Sequence, residues 1–263
     1  MRGYILFDFD GTISLFRTGW QEVMEKVMWH FIREVLPQDD NQSLSSQWLK
    51  QINDYIQQST GIQTIYQMQW LQREIMSLNA QKARSIWEYK EAYRAALKTL
   101  IQGRLDDVAT RKADPTQYLV TGAKDLLMRL RDLGFMLFLA SGTDDADVVK
   151  EAQLLGISTF FTSICGTPDR SMENPKLEMM KKILAMFSDH ETIGAVIGDG
   201  PVEMQLGREY RLITIGVASD DGEGNYNNSK KRERLRSCGA QLVVDDLSDI
   251  ESITAVLTRG LYQ

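Results

Sequence analysis

The chain divides into two stretches with different hydrophobic rhythms. Between Trp20 and Val35 the apolar residues fall at Trp20, Val23, Met24, Val27, Met28, Phe31, Ile32 and Val35, the three-and-four spacing of one helix face. Pro37 ends that pattern. A second helical pattern runs through Leu44, Trp48, Leu49, Ile52, Tyr55 and Ile56, breaks at STGIQT, and resumes through Ile65, Leu71 and Ile75. A further one covers about residues 84–101, before Gly103 and Pro115 interrupt it. From Thr121 onward the grammar changes. Helical stretches, including AKDLLMRLRDLG and about residues 145–155, alternate with the short apolar runs FMLFLA (Phe135–Ala140), FFTSI, IGAVIG, LITIGV and AQLVV. Such alternation predicts a parallel sheet covered on both faces.

The run YILFDF near the amino terminus has the character of these later strands, yet a long helical block separates it from them. The expected architecture is therefore α/β: a Rossmann-like parallel sheet formed by residues 1–16 and 120–263, with an α-helical bundle, residues 17–119, inserted after the first strand. All five tryptophans (Trp20, Trp29, Trp48, Trp70 and Trp87) fall in the insertion. An aromatic-rich bundle in that position reads as a cap over the place where the first strand ends.

Composition narrows the class. Hydrophobic residues make up 43% and charged residues 25% of the 263, with only 5 Pro, which describes an ordinary globular protein. A formal charge of -6 argues against a nucleic-acid partner. The one dense basic run, KKRER at Lys230–Arg234, reads as a solvated helix face balanced by the acids of SDDGEG before it. No apolar stretch approaches the roughly 18 residues that span a bilayer, and MRGYILFDFDG is too short and acidic for a signal peptide. A soluble cytoplasmic protein is expected, a monomer or homodimer without a membrane partner. Cys165 and Cys238 form no CxxC pair and are expected to be reduced and partly buried. His30 and His190 stand far apart, so histidine is a poor first choice for catalysis.

The chemistry collects after the apolar runs, where open parallel sheets bind ligands. Side chains two apart on an extended segment point the same way, so Asp8 and Asp10 are expected to present carboxylates to one spot. That arrangement costs energy unless a cation or a proton sits there. Ser141, Gly142 and Thr143 follow FMLFLA; Asp199 and Gly200 follow IGAVIG, with Glu203 nearby; Lys176 opens PKLEMMKKIL, with Lys181 and Lys182 as competitors for its role. Asp8, Asp199 and a main-chain carbonyl near Asp10 suit a hard cation such as Mg²⁺. Ser141, the Gly142 amide and the Lys176 ammonium suit phosphoryl oxygens. Each residue also has a plain local reading: an Asx turn at Asp8 and Asp10, a helix cap at Ser141, a solvated Lys176, a simple turn at Asp199.

DFDGT at Asp8–Thr12, the serine of LASGT, Lys176 and IGDGPVE resemble, in order, the four motifs of the haloacid dehalogenase superfamily, and the helical insertion resembles its helical cap. Among capped relatives the chain looks most like the phosphoglycolate phosphatase and β-phosphoglucomutase group. The resemblance implies that Asp8 attacks phosphorus and Asp10 protonates the leaving oxygen and then activates water. It further implies that Thr12 steadies the loop, that Ser141, Gly142 and Lys176 hold the phosphate, and that Asp8, Asp10, Asp199 and Glu203 form the Mg²⁺ site, Glu203 through water. Asp10 favours phosphate-ester chemistry over dehalogenation, which has no leaving oxygen to protonate. The expected activity is Mg²⁺-dependent hydrolysis of a small phosphomonoester, a sugar phosphate or phosphoglycolate-like metabolite, through an aspartyl-phosphate. A sugar phosphomutase of the β-phosphoglucomutase type and a non-catalytic phospholigand-binding module are the alternatives. In the cap, Arg17, Thr18 and Trp20 of LFRTGW and Thr60, Gly61 and Gln63 of STGIQT are candidate substrate contacts. Trp20 can equally be core packing, and Arg17 can equally pair with a surface acid.

Overall fold

A computed structural model of the chain describes residues 3–37, 42–187, 192–219 and 228–259. His190 and the acidic stretch 220–224 lie outside them. The chain forms two compact units, one made of Met1–Thr18 and Arg104–Gln263, the other of Gly19–Gly103.

The first unit is built on six parallel strands in the order β3-β2-β1-β4-β5-β6. They are β1 (Gly3–Phe7), β2 (Phe135–Asp144), β3 (Ser163–Thr167), β4 (Ile193–Gly198), β5 (Ile213–Val217) and β6 (Leu242–Val244). The central strand is β1, all five of its residues being buried. Its alternate side chains serve opposite faces. Tyr4 and Leu6 join Phe138, Ala140, Met179, Met180, Ile183, Val196 and Leu206 in one cluster. Ile5 and Phe7 point to the other side. The strands added after β2 and β3 extend the sheet on the far side of β1, so the order reverses there. The crevice at that reversal, beyond the carboxyl ends of β1, β2 and β4, is where such sheets hold ligands.

The second unit contains α1 (Trp20–Arg33), α2 (Gln42–Gln58), α3 (Thr64–Asn79) and most of α4 (Ile86–Ala109). Its core is made by Met24, Met28, Phe31, Ile32, Ile52, Ile56, Ile65, Met68, Leu71, Ile75 and Tyr89. These residues follow the helical periodicity read from the sequence. The unit is narrower than the expected 17–119. Arg17, Thr18 and the last turns of α4 group with the sheet, where Arg104 Nη1 donates to the carbonyls of Phe16 and Thr18, both at 2.8 Å.

The helices around the sheet are α5 (Ala123–Asp132), α6 (Asp145–Leu154), α7 (Pro175–Met186), α8 (Pro201–Glu209), α9 (Asn228–Ser237) and α10 (Ile250–Arg259). Three boundaries differ from expectation. The β2 strand runs on through Ser141, Gly142 and Thr143 to Asp144, with a register shift against β3 after Ala140. The β3 strand begins at Ser163 rather than within the aromatic run, because Ser158–Phe160 turn as a 3-10 helix. And α4 passes straight through Gly103. A glycine in a helix interior costs only about 1 kcal/mol, which packing along a long helix outweighs. A Cβ added at Gly103 would meet nothing within 4 Å. Gly103→Ala is accordingly expected to raise unfolding stability by about 0.5–1 kcal/mol, read as an increase in the urea midpoint with an unchanged slope.

Both cysteines are free and partly buried, as expected. Burial pushes the Cys165 thiol up to about 11, which keeps it unreactive near neutrality. Among the described residues no helix is long and apolar enough to cross a membrane.

Candidate active site

The β1 strand stops at Phe7, but the chain stays tied to the sheet for one more residue, since the Asp8 amide donates to the Ile197 carbonyl at 2.9 Å. It then curls. The amides of Ile13 and Ser14 both donate to the Phe9 carbonyl, and Gly11 takes a φ of 74°, which a side chain would resist. The turn at Gly11 to Ile13 follows Asp10, which bridges to Ser14. The Asp8 and Asp10 carboxylates hold different neighbours.

Asp8 enters a closed ionic cluster. Its Oδ1 lies 2.7 Å from Lys176 Nζ, and Oδ2 accepts a hydrogen bond from the Thr12 hydroxyl at 3.0 Å. The same Lys176 ammonium donates to Glu203 Oε1, while Glu203 Oε2 accepts the Gly200 amide at 3.1 Å. Lys176 is presented by the first turn of α7, which is capped by the Asn174 side chain and begins with Pro175. Glu203 sits in the first turn of α8 and folds back over Gly198, where an added Cβ would come within 2.2 Å of Glu203 Cγ. Only a glycine at position 198 admits that side chain. Asp8, Asp199, Lys176 and Glu203 are 6%, 5%, 3% and 1% exposed, so none of these charges is screened by bulk water.

Burial pushes the Asp8 carboxyl up to about 8; Lys176 pulls it down, and the Glu203 and Asp199 charges push it up again. The same pressure raises Glu203, against the pull of Lys176. Three carboxylates thus lie within electrostatic reach of one another. Asp199 has its own counter-ion, Lys231 of α9, whose Nζ stands 3.0 Å from Oδ2. The expected solvated reading of KKRER fails at this residue: its side chain is 14% exposed and reaches inward. Lys231 shares one face of α9 with the buried Leu235, an i to i+4 spacing that was visible in the sequence.

Asp10 enters a hydroxyl cluster at the end of β2. Its Oδ2 accepts from the hydroxyls of Ser141 at 3.1 Å and Thr143 at 2.8 Å, and Ser141 Oγ in turn accepts the Thr143 amide at 3.0 Å. Its Oδ1 is buried without a hydrogen bond. Gly142 lies in the same segment, its carbonyl accepting from the Thr167 hydroxyl at 2.9 Å. Arg17 stands on the third side, with Nε 3.4 Å from Asp10 Oδ1 and Nη2 2.6 Å from Glu151 Oε1. Burial raises the Glu151 carboxyl to about 7 despite Arg17.

The structure thus brings Asp8, Lys176 and Glu203 together, and Asp10 with Ser141. Glu203, in the first turn of α8, engages Lys176 through one oxygen and the Gly200 amide through the other. The other expected substrate residues hold local structure. Thr18 Oγ1 donates to the Leu15 carbonyl at 2.8 Å. In the second unit, Trp20 begins α1, Thr60 Oγ1 donates to the Ile56 carbonyl at the end of α2 at 3.2 Å, Gly61 supplies a φ of 86°, and Gln63 precedes α3 in extended conformation. Thr143 and Glu151 had no role in the sequence reading. Thr143 was legible beside Ser141, whereas Glu151 looked like any helix acid.

A cation site must be judged by its donors. Asp8 and Asp199 supply hard oxygens, and the cluster sets three acids, Asp8, Asp199 and Glu203, against the two ammoniums of Lys176 and Lys231. Among the described residues no three His, Cys, Asp or Glu side chains converge as a ready-made cage. Mg²⁺ does not ask for one, as it keeps several waters beside one or two carboxylates. The residues fit the ion.

The family model for haloacid dehalogenase-like hydrolases matches residues 4–210. A comparison with curated proteins finds no match. Among solved structures, the chain resembles a "predicted phosphoglycolate phosphatase" from Haemophilus somnus 129PT at 16% identity and a TM-score of 0.60, covering 97% of this chain and 99% of that one. It resembles a β-phosphoglucomutase from Clostridium difficile at 18% identity and a TM-score of 0.61, covering all of both chains. A phosphonoacetaldehyde hydrolase-like protein from Oleispira antarctica matches at 15% identity and a TM-score of 0.60, over 99% of this chain and 94% of that one. At these identities the likeness is one of fold. The chain belongs to the haloacid dehalogenase-like hydrolase family and is an enzyme of that family.

Proposed function

We propose that this haloacid dehalogenase-like hydrolase is a Mg²⁺-dependent phosphatase of small phosphomonoesters that works through an aspartyl-phosphate on Asp8. One observation carries the reading: two acids of a single loop hold different partners, one set suited to a nucleophile and the other to a proton carrier. Asp8 is held rigidly by Lys176 and Thr12, with the acid cluster behind it. Asp10 is fixed through Oδ2 and keeps Oδ1 free of hydrogen bonds.

In the first step an Asp8 oxygen attacks phosphorus, the phosphorus–oxygen bond to the leaving group breaks, and Asp10 gives its proton to the departing oxygen. In the second, water attacks the phosphorus of the aspartyl-phosphate and loses its proton to Asp10, and the Asp8 carboxylate and inorganic phosphate are released. Lys176 keeps Asp8 oriented and offsets charge on the transferred group. Ser141 and Gly142, at the end of β2, lie on the Asp10 side, where phosphoryl oxygens need donors. Asp8, Asp199 and the Asp10 carbonyl would hold Mg²⁺, which, when bound, offsets charge on the phosphoryl group and favours the ionised nucleophile.

A panel of phosphorylated metabolites, assayed for inorganic phosphate with and without Mg²⁺, tests this directly. Phosphate release that needs Mg²⁺ supports it. Turnover that appears only when a bisphosphorylated sugar is supplied, with no net phosphate release, would replace hydrolysis by phosphoryl return to a sugar. Silence across the panel would remove the phosphatase reading.

A further inference from the structure

The chemistry above gives no part to Arg17 or Glu151, yet both are withdrawn from water beside Asp10. Glu151, on α6, is 2% exposed, and the Arg17 side chain is 12% exposed. Arg17 grips Glu151 twice, Nη2 to Oε1 at 2.6 Å and Nε to Oε2 at 3.4 Å, and its Nη2 is also 3.7 Å from Asp147 Oδ2. A buried ion pair is a poor investment for stability alone, because apolar packing of the same volume stabilises as well or better. What such a pair does supply is a guanidinium with its rotamers removed. Here the fixed guanidinium faces Asp10 Oδ1 at 3.4 Å, while the Ser141 and Thr143 hydroxyls hold Oδ2. The carboxyl is therefore gripped along one edge by hydrogen bonds and on the other by a charge too distant to use up the lone pair. The Asp10 side chain is 24% exposed against 12% for Arg17 and 2% for Glu151, so of the three it is the one that needs holding.

We propose that Arg17, locked by Glu151, is a positioning residue that aims Asp10 Oδ1 at the leaving oxygen of the substrate. The proposal rests on the phosphatase reading. Asp10 gives its proton to the departing alkoxide and regains one from the attacking water; Arg17 itself exchanges no proton and forms no bond to substrate. A residue that only holds the fold would slow all substrates alike. One that aims the acid matters in proportion to how much the leaving group needs a proton.

The experiment compares wild type, Arg17→Ala, Arg17→Lys and Glu151→Gln on two substrates with Mg²⁺ present: p-nitrophenyl phosphate, whose leaving group departs without protonation, and the alkyl phosphomonoester turned over fastest by wild type. Arg17→Ala is expected to lower kcat/KM, which reports the step in which the leaving group departs, by about 10- to 100-fold for the alkyl ester and by less than about 3-fold for p-nitrophenyl phosphate. Glu151→Gln keeps the acceptor but loses the charge, and is expected to show the same selective loss to a smaller degree. Should Arg17→Ala fail to fold, Arg17→Lys and Glu151→Gln make the same comparison. Equal losses on both substrates, or no loss on either, overturn this proposal alone. A wild-type protein that turns over neither substrate overturns the phosphatase reading and this proposal with it.

Discussion

Asp8→Asn is expected to cut turnover of every substrate by on the order of 10⁴-fold or more while leaving a folded protein. The side chain is nearly isosteric and can still accept from Thr12, so the turn from Phe9 to Ser14 has no reason to open. What disappears is the lone pair that attacks phosphorus. The ionic cluster tolerates the change, because Asp8, Asp199 and Glu203 are three acids shared between the two ammoniums of Lys176 and Lys231. Removing one acid leaves Lys176 its pairing with Glu203. Circular dichroism and the urea midpoint should match wild type within about 1 kcal/mol, so that the lost rate is chemical. Residual turnover above a few per cent would remove Asp8 from the nucleophile's role.

Lys176→Met is expected to act the other way round, on stability as heavily as on rate. Lys176 is the only cation seen against both Asp8 and Glu203 among the described residues, and its pKa is raised by those two acids in spite of burial. Methionine fills the space of the alkyl stem and removes the charge, leaving two carboxylates facing each other out of water. Breaking a buried pair by deleting one partner costs about 3–5 kcal/mol, a large share of a typical domain's stability. The loss is to be read by urea denaturation, with Glu203→Gln added to the Lys176→Met background as the control. If the cost is an uncompensated charge, the second change restores a good part of the stability, and the cycle is strongly non-additive. Additive losses would mean that Lys176 contributes packing alone.

The parts of this molecule that were legible in the sequence are those set by short-range rules. Helix periodicity located α1 to α3, and five apolar runs located β1, β2, β4, β5 and β6, strands that are mostly buried. The FFTSI run set β3 a few residues too early, because the strand lies at the sheet edge and is partly exposed at Ser163 to Cys165, so its hydrophobic signal is weaker than that of the aromatic turn before it. Asp8, Lys176 and Asp199 were legible because each ends a strand or opens a helix at the sheet's carboxyl edge. The different partners of Asp8 and Asp10 were not, because they come from α7 and from β2, far along the chain. Arg17 and Glu151 are 134 positions apart, and nothing local to either announces the other. Lys231 hid inside a basic run in which Lys230 is exposed and Arg232 pairs with the exposed Asp245.

The claim that everything else depends on is that Asp8 carries the phosphoryl group. Asp10→Asn is the protein in which to look for it, since loss of the proton carrier should slow hydrolysis of the intermediate and let it accumulate. p-Nitrophenyl phosphate is the donor, because its leaving group needs no proton to depart. Mixing the two with Mg²⁺, quenching in acid and mapping the peptides by mass spectrometry should find one phosphoryl group on the peptide that contains Asp8, removable by hydroxylamine and absent from the Asp8→Asn, Asp10→Asn double variant. Release of nitrophenol with no phosphoryl group on Asp8, or with the group on another residue, would contradict the account.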